Sequence, residues 1–180
     1  RSWKRSPGSI PQWGSAVPET HVETRLRRLE DESAIQRLLM SYGPAADAGM
    51  AGFAADLWLD DGDYDWDANQ QPFHGAGSVD EMLRSDGHRS LMAAGVAHFG
   101  GPLLIEVDGD RASAVNYSLI MRREDRRYYL WRVSAVRWDL ERSESAWRVR
   151  RRVNRLLDET GAGSELFGTA LHELFPEGPR

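Results

Sequence analysis

The sequence contains no cysteine, so disulfide bonds and thiolate chemistry are excluded. A chain that does without disulfides suits a reducing compartment, and we expect a cytoplasmic protein. Its 180 residues are enough to bury a core without covalent links, and a single folded domain is the default. No apolar run approaches the roughly 20 residues that span a bilayer, so we expect no association with a membrane.

An excess of basic residues is also missing. The chain has 23 Lys and Arg against 28 Asp and Glu, a net charge of −5, which argues against a general nucleic-acid binder. Metal-binding spacing is absent as well, because His74, His88 and His98 fall in separate segments and no cysteine can add a ligand. We therefore expect neither a metal nor a cofactor.

The hydrophobic pattern divides the chain into three parts. Residues 1–20 contain Pro and Gly without periodicity, which predicts an N-terminal arm. Residues 21–156 carry the periodic apolar pattern of a folded domain. Residues 157–180 place apolar side chains at helical spacing, which predicts a helical tail that covers a pocket or an interface.

The first half of the domain is predicted to be mainly helical. A helix begins near residue 19, and Gly43 and Pro44 should kink or interrupt it because proline cannot donate to the preceding turn. A short helix over residues 50–59 and a turn over 60–63 follow. A further helix should begin near Ser78, whose spacing to Glu81 fits a capping box. The next segment is predicted to be a loop with His88 on the surface.

The second half is predicted to be strands. His98 lies in a strand that runs into Gly100 and Gly101, where a bulge could tip side chains into a cavity. After a turn at Asp108, strands over residues 111–123, 127–142 and 147–154 are joined by tight turns. Such an antiparallel meander excludes a parallel α/β fold. We predict an α+β cone, a strongly curved antiparallel sheet with helices packed on its concave side around a pocket.

This order of elements, together with several short sequence phrases, resembles the SnoaL-like branch of the NTF2-like superfamily. No single phrase is specific, but their order and spacing together are. The resemblance covers roughly residues 26–154. The phrases that carry it are residues 35–39, 42, 47–49, 57–64, 73–75, 98–100, 107–112 and 147–149.

Within that superfamily the chain is most similar to scytalone dehydratase and hexachlorocyclohexane dehydrochlorinase. Both use a His–Asp dyad, and the resemblance places it at His98 and Asp47. Ala46 stands where scytalone dehydratase has one catalytic tyrosine, so Tyr42, one turn earlier, is the candidate substitute and the substrate stays open. The resemblance assigns further pocket positions to Tyr64, His74, Asn116, Ser118 and Arg152, and Trp66 is a candidate pocket aromatic.

The dyad residues suit proton abstraction on chemical grounds too. Histidine can act as a base near neutral pH, and a carboxylate at Asp47 would fix its tautomer and stabilise the imidazolium. Each candidate also has a purely structural interpretation. His98 could be a satisfied core histidine, Asp47 a helix end, and the tyrosines core packing, while only one of Arg150, Arg151 and Arg152 need face inward.

These observations predict a cofactor-independent lyase or isomerase of the dehydratase or cyclase type. Its substrate would be a small apolar polyketide-like, aromatic or steroid-like molecule, and the enzyme is expected to be a homo-oligomer, a dimer or a trimer. The alternative is a non-catalytic NTF2-like protein that binds a ligand or a partner. The β subunit of a ring-hydroxylating dioxygenase, which shares the fold, is a third possibility.

Overall fold

A computed structural model describes residues 19–67 and 70–178 of the chain. The predicted N-terminal arm lies outside these residues, except for positions 19 and 20, which begin the first helix. No helix within the described ranges is long and apolar enough to cross a membrane. The elements in chain order are α1 Glu19–Asp47, α2 Ala51–Ala55, β1 Trp58–Asp65, β2 Phe73–His74, α3 Ala76–Arg84, α4 Asp86–Ala94, β3 Val96–Gly100, β4 Leu104–Asp108, β5 Arg111–Glu124, β6 Arg127–Ser143, β7 Ala146–Leu156 and α5 Ala162–Leu174.

The strands form one seven-stranded sheet in the order β2-β1-β7-β6-β5-β3, with β4 also paired to β5. Strands β4 to β7 are consecutive antiparallel neighbours, so the predicted meander is confirmed. The pairing of β1 with β7 is parallel. Register shifts in β5–β6 and β6–β7 accompany the curvature of the sheet, which does not close into a barrel. The predicted α+β fold is confirmed.

The main core lies between the concave face of the sheet and helices α1 to α3. Its largest fully buried apolar side chains come from both layers: Ile35 on α1, Val79 on α3, and Val136, Leu140 and Val149 on the sheet. Burial of this apolar area is the main stabilising contribution to the fold. The layer arrangement leaves room for a site at the point where α1 meets β3.

The C-terminal helix α5 packs on the opposite face of the sheet. Phe167 contacts Tyr117 with ring centroids 4.8 Å apart, and Ala170 and Leu174 pack against Val115. Val115 and Tyr117 alternate along β5 with the inward-facing Asn116, so they point away from the pocket. Within one chain the tail therefore packs on the face of the sheet opposite to that pocket, and its role as the cover of a pocket or an interface stays a prediction.

Three local features of the helical half differ from the predictions. Helix α1 is not interrupted at Pro44 and continues to Asp47. Helix α3 begins after Gly75 with no side-chain cap, and Ser78 lies inside it, donating to the carbonyl of His74. Residues 86–94 form helix α4, because Ser85 caps it by accepting a hydrogen bond from the backbone N–H of His88 at 3.3 Å.

The predicted turn over residues 60–63 is part of strand β1. Its Asp-Asp-Gly-Asp composition favours a turn, but tertiary pairing with β7 overrides that preference. A register shift between Trp58 and Asp63 absorbs the irregularity, and Gly62 is required because a Cβ there would lie 2.7 Å from the carbonyl oxygen of Val149. The short helix α2 accordingly ends at Ala55, before the predicted limit of residue 59.

Candidate active site

The end of α1 and strand β3 bring Asp47 and His98 into direct contact. The ring Nδ1 of His98 lies 2.6 Å from Oδ1 of Asp47, and the backbone N–H of His98 donates to Oδ2 at 2.8 Å. Both side chains are largely buried, with exposed fractions of 16% for His98 and 24% for Asp47. Because a carboxylate only accepts, Nδ1 carries the proton in this contact, and Nε2 of the neutral ring has a free lone pair.

Gly43 makes this contact possible. A Cβ at Gly43 would overlap the backbone carbonyl oxygen of His98, so only glycine lets α1 approach β3 this closely. Gly49, with φ of +70°, then closes the helix end two residues after Asp47. The glycines on either side of Asp47 therefore set where its carboxylate lies.

Two cavities meet at Tyr42 and His98, which line both of them. The inner cavity has a volume of about 130 Å³ and lies between α1 and the sheet, against Asn116, Ser118 and Arg152. The outer cavity has a volume of about 210 Å³ and extends between β1, β6 and helices α3 and α4. Since Asp47 occupies Nδ1 of His98, Nε2 is the ring nitrogen left for a molecule in these cavities.

Arg152 is a buried cation in the wall of the inner cavity, with 4% of its surface exposed. Its guanidinium lies 4.3 Å from the ring centre of Tyr42, 4.6 Å from Tyr64 and 4.4 Å from Trp138. Its Nε donates to the Asn154 amide oxygen at 3.1 Å, whereas its buried Nη1 has no partner among the described residues. Aromatic faces stabilise the charge, and one donor remains available.

The two tyrosines predicted for the site are both buried beside that cation. Burial raises the pKa of Tyr42 far above its ordinary value, the neighbouring Tyr64 adds to the effect, and Arg152 opposes it. Tyr42 is therefore a neutral phenol across the physiological range. The Tyr64 hydroxyl accepts a hydrogen bond from Asn154 Nδ2 at 3.3 Å.

Asn116 and Ser118 lie on the same face of β5 and both line the inner cavity. The Asn116 side chain is already engaged, because its oxygen accepts from Trp138 Nε1 at 3.0 Å and its nitrogen donates to the Gly101 carbonyl at 3.2 Å. Trp66 lines the outer cavity and stacks on Phe73 with ring centroids 6.4 Å apart. Asn116 thus shapes the wall of the inner cavity, whereas Ser118 lines the inner cavity and Trp66 the outer one.

The domain has the sequence and the fold of a known family. The family model described as SnoaL-like domain matches residues 27–153. The chain belongs to the SnoaL-like domain family. An NTF2-like protein with a cystatin-like fold from Novosphingobium aromaticivorans is similar to it, with 38% identity and a TM-score of 0.80 over 82% of this chain and 96% of that one. The sequence resemblance to this superfamily is confirmed.

More distant SnoaL-like structures share the fold. A candidate scytalone dehydratase from N. aromaticivorans is 19% identical, with a TM-score of 0.63 over 73% of this chain and 87% of that one. A hexachlorocyclohexane dehydrochlorinase from Novosphingobium barchaimii is 20% identical, with a TM-score of 0.64 over 74% of this chain and 91% of that one. No curated protein matches the chain.

Two histidine predictions for this SnoaL-like domain are wrong. His74, assigned to the pocket, has 74% of its side chain exposed and contacts Asp63 at 2.6 Å on the surface, because β2 lies at the sheet edge. His88, assigned to the surface, is buried on α4, and its ring centre lies 5.8 Å from that of His98. Its Nε2 lies 3.1 Å from the carbonyl oxygen of Ala46 and must donate there.

His88 therefore supports the dyad from the α4 side, since Ala46 directly precedes Asp47 on α1. Sequence reasoning missed it because the Asp86-Gly87 pair was assigned to a loop. The Ser85 cap was the signal that could have placed a helix there. Arg132 on β6, which lines the outer cavity, was also missed, although strand alternation from Trp138 places it on the inner face.

The structure also selects one arginine from the run at 150–152. Arg152 is buried at the site, whereas Arg150 binds Asp61 at 2.6 Å and Arg151 is more than half exposed. Across the described part of the chain, no group of three or more His, Asp or Glu side chains could hold a metal ion. The polar groups gathered at the site include a His–Asp pair, two buried tyrosines and two arginines, beside His88, Asn116 and Ser118.

Proposed function

We propose that this SnoaL-like domain is a cofactor-independent lyase or isomerase that abstracts a proton from a small apolar polyketide-like, aromatic or steroid-like molecule. The observation that supports it is the contact of His98 Nδ1 with Asp47 at 2.6 Å, in a ring that lines both cavities. An imidazole fixed in this tautomer presents Nε2 as a base. The dyad is proposed as the catalytic pair.

In the proposed reaction, Nε2 of His98 takes the proton of a C–H bond next to a carbonyl group. In an elimination, the electron pair of that bond forms a C=C bond and the leaving group departs with its own bonding pair. In an isomerisation or cyclisation, the pair is held on the carbonyl oxygen as an enolate until a new bond forms at carbon. In either case the Asp47 carboxylate stabilises the imidazolium.

The neighbouring groups suit the charge that develops on oxygen. Tyr42 stays protonated because burial raises its pKa, so it can donate to an enolate or a departing hydroxide. The Tyr64 hydroxyl lies in the same cluster, and the guanidinium of Arg152, whose Nη1 has no partner among the described residues, adds a positive charge beside both tyrosines. These three residues are proposed to stabilise the transition state while His98 moves the proton.

A catalytic role is favoured over simple ligand binding by the cost of the arrangement. A binding cone has no need to bury a carboxylate, a histidine and an arginine, each of which loses hydration. The fold neighbours named as a dehydrochlorinase and a candidate dehydratase fit the same kind of chemistry. Assembly into a dimer or a trimer and a cytoplasmic location remain predictions.

Proton abstraction can be tested before the natural substrate is known. The protein is incubated in deuterium oxide with a panel of aromatic and polycyclic ketones, and loss of the proton signal next to each carbonyl is followed by NMR. We expect at least one ketone to exchange faster with the protein than without it, and we expect His98→Gln to lose this acceleration. The matched control is His172→Gln, an exposed histidine on α5, which should exchange like the parent.

The outcomes separate the two functions. Deuterium exchange that persists unchanged in His98→Gln would contradict the assignment of His98 as the base. A protein that binds the ketones but exchanges none of them would support the non-catalytic alternative. The melting temperature of each variant is measured alongside, so that a loss of exchange is assigned to chemistry only in a folded protein.

A further inference from the structure

Arg132 is the one permanently charged side chain among the described residues that line the outer cavity. Its Nη2 donates to the backbone carbonyl of Trp66 at 3.0 Å, and its guanidinium lies 5.6 Å from the centre of the Trp66 ring. These contacts fix the position of the group. Its Nε is buried and has no hydrogen-bond partner in the part of the chain that is described. A fixed cation with a spare buried donor is suited to an anionic ligand.

The sheet register sets this cation at a defined distance from the proposed base. His98 pairs with Ile120, and Ile120 pairs with Arg132, so the three residues form a row across β3, β5 and β6. All three line the outer cavity. Two strand spacings amount to about 10 Å between the backbones of His98 and Arg132. Ile120 forms an apolar floor between the two polar ends.

Flat aromatic side chains flank that floor. Trp66, Phe73 and Trp131 line the cavity on the side of Arg132, and Trp66 and Phe73 are stacked. No aspartate or glutamate is among the described residues that line it, so an anion there would meet no carboxylate in the cavity wall. Aromatic walls, an apolar floor and one cation together favour a planar ring that carries an acidic group.

We propose that the outer cavity binds an aromatic carboxylic acid, with its carboxylate on Arg132 and its ring over Ile120. The direction of the reacting carbon toward His98 rests on the proposed function, whereas binding of the acid does not need turnover. A guanidinium matches a carboxylate particularly well, because two N–H groups can donate to its two oxygens in parallel. Arg132 is thus assigned a role in substrate specificity.

The test uses 2-naphthoate and its uncharged analogue 2-naphthamide, titrated into the protein by calorimetry near neutral pH. We expect the parent to bind the acid at least about tenfold more tightly than the amide, and Arg132→Gln to abolish that preference. Arg132→Lys should keep part of it. The matched control is Arg127→Gln on the exposed end of the same strand, which should behave like the parent.

Equal binding of the acid and the amide by the parent would overturn the proposal. A preference for the acid that survives in folded Arg132→Gln would overturn it too. If Arg132→Gln fails to fold, the comparison of Arg132→Lys with the parent decides. A lysine variant that keeps the full preference for the acid over the amide would contradict bidentate recognition. Binding of 2-naphthoate is measured without turnover, so failure of the exchange assay and failure of the acid site remain distinguishable.

Discussion

Asp47 holds His98 at two points, with one carboxylate oxygen on the ring nitrogen and the other on the backbone N–H of the same residue. One side chain at the end of α1 therefore fixes both the imidazole and the strand that carries it. This double contact makes Asp47 part of the proposed chemistry and part of the local structure.

Asp47→Asn should impair both the proposed chemistry and the local structure. An amide has a single acceptor oxygen, so one of the two N–H groups of His98 loses its partner, at a cost of about 1–3 kcal/mol in the free energy of unfolding. The imidazolium also loses its counter-charge, and we expect deuterium exchange to fall by about 10²–10⁴. Exchange rates and urea denaturation measure the two effects. Asp56→Asn, at an exposed position after α2, is the control, and parental exchange in Asp47→Asn would contradict the dyad.

Gly43→Ala tests how the dyad is assembled. Alanine favours a helix over glycine by about 1 kcal/mol, so propensity alone predicts stabilisation. The added Cβ would overlap the carbonyl of His98, and we expect the clash to dominate, lowering stability and separating Asp47 from His98. The control is Gly168→Ala on α5, where an added Cβ meets nothing within 4 Å and should stabilise the protein. If both variants gain stability equally, the close approach of α1 to β3 is not a constraint.

The sheet and the dyad were predictable for different reasons. Alternating apolar residues and turn residues such as Asp108 and Gly109 define the meander locally, and the structure has it. The pairing of Asp47 with His98, 51 positions apart, came from the family resemblance, since no local pattern joins a helix end to a distant strand. The same resemblance placed His74 in the pocket, whereas the edge position of β2 puts it on the surface.

The missed residues depend on tertiary contacts. His88 reaches the site only because α4 packs over the end of α1, where Ala46 offers a carbonyl. The turn expected over residues 60–63 became a strand because β7 pairs with it. Strand alternation could have predicted the inward position of Arg132. A charged residue in a strand nevertheless suggests a solvent-exposed face unless the cavity is known.

Arg152→Met should separate stability from activity. The buried guanidinium has aromatic faces and one amide oxygen as contacts, so methionine removes a desolvated charge and keeps much of the apolar stem. We expect a melting temperature at or above that of the parent, together with a loss of exchange. Arg150→Met, on the same strand but paired with Asp61 and Glu141, should leave exchange unchanged. A large drop in the melting temperature of Arg152→Met would assign the arginine a structural role instead.

Tyr42 should make the protein sensitive to alkaline pH. In the unfolded chain a tyrosine loses its proton near its ordinary pKa of 10.0, whereas burial raises the pKa of Tyr42 in the folded protein. Above about pH 10 the folded state therefore holds a proton that the unfolded state has lost, and stability falls as pH rises, by up to about 1.4 kcal/mol per pH unit. Below that pH both states are protonated, and this residue adds no pH dependence.

Tyr42→Phe should remove that part of the alkaline slope. The measurement is the free energy of unfolding in urea at several pH values from about 8 to 11, for the parent and the variant. Tyr128→Phe, which removes a hydroxyl from a side chain that is 62% exposed, is the control and should follow the parent. Parallel loss of stability in Tyr42→Phe and the parent would show that Tyr42 does not stay protonated in the fold. It would then not serve as the proposed neutral donor to a substrate oxygen.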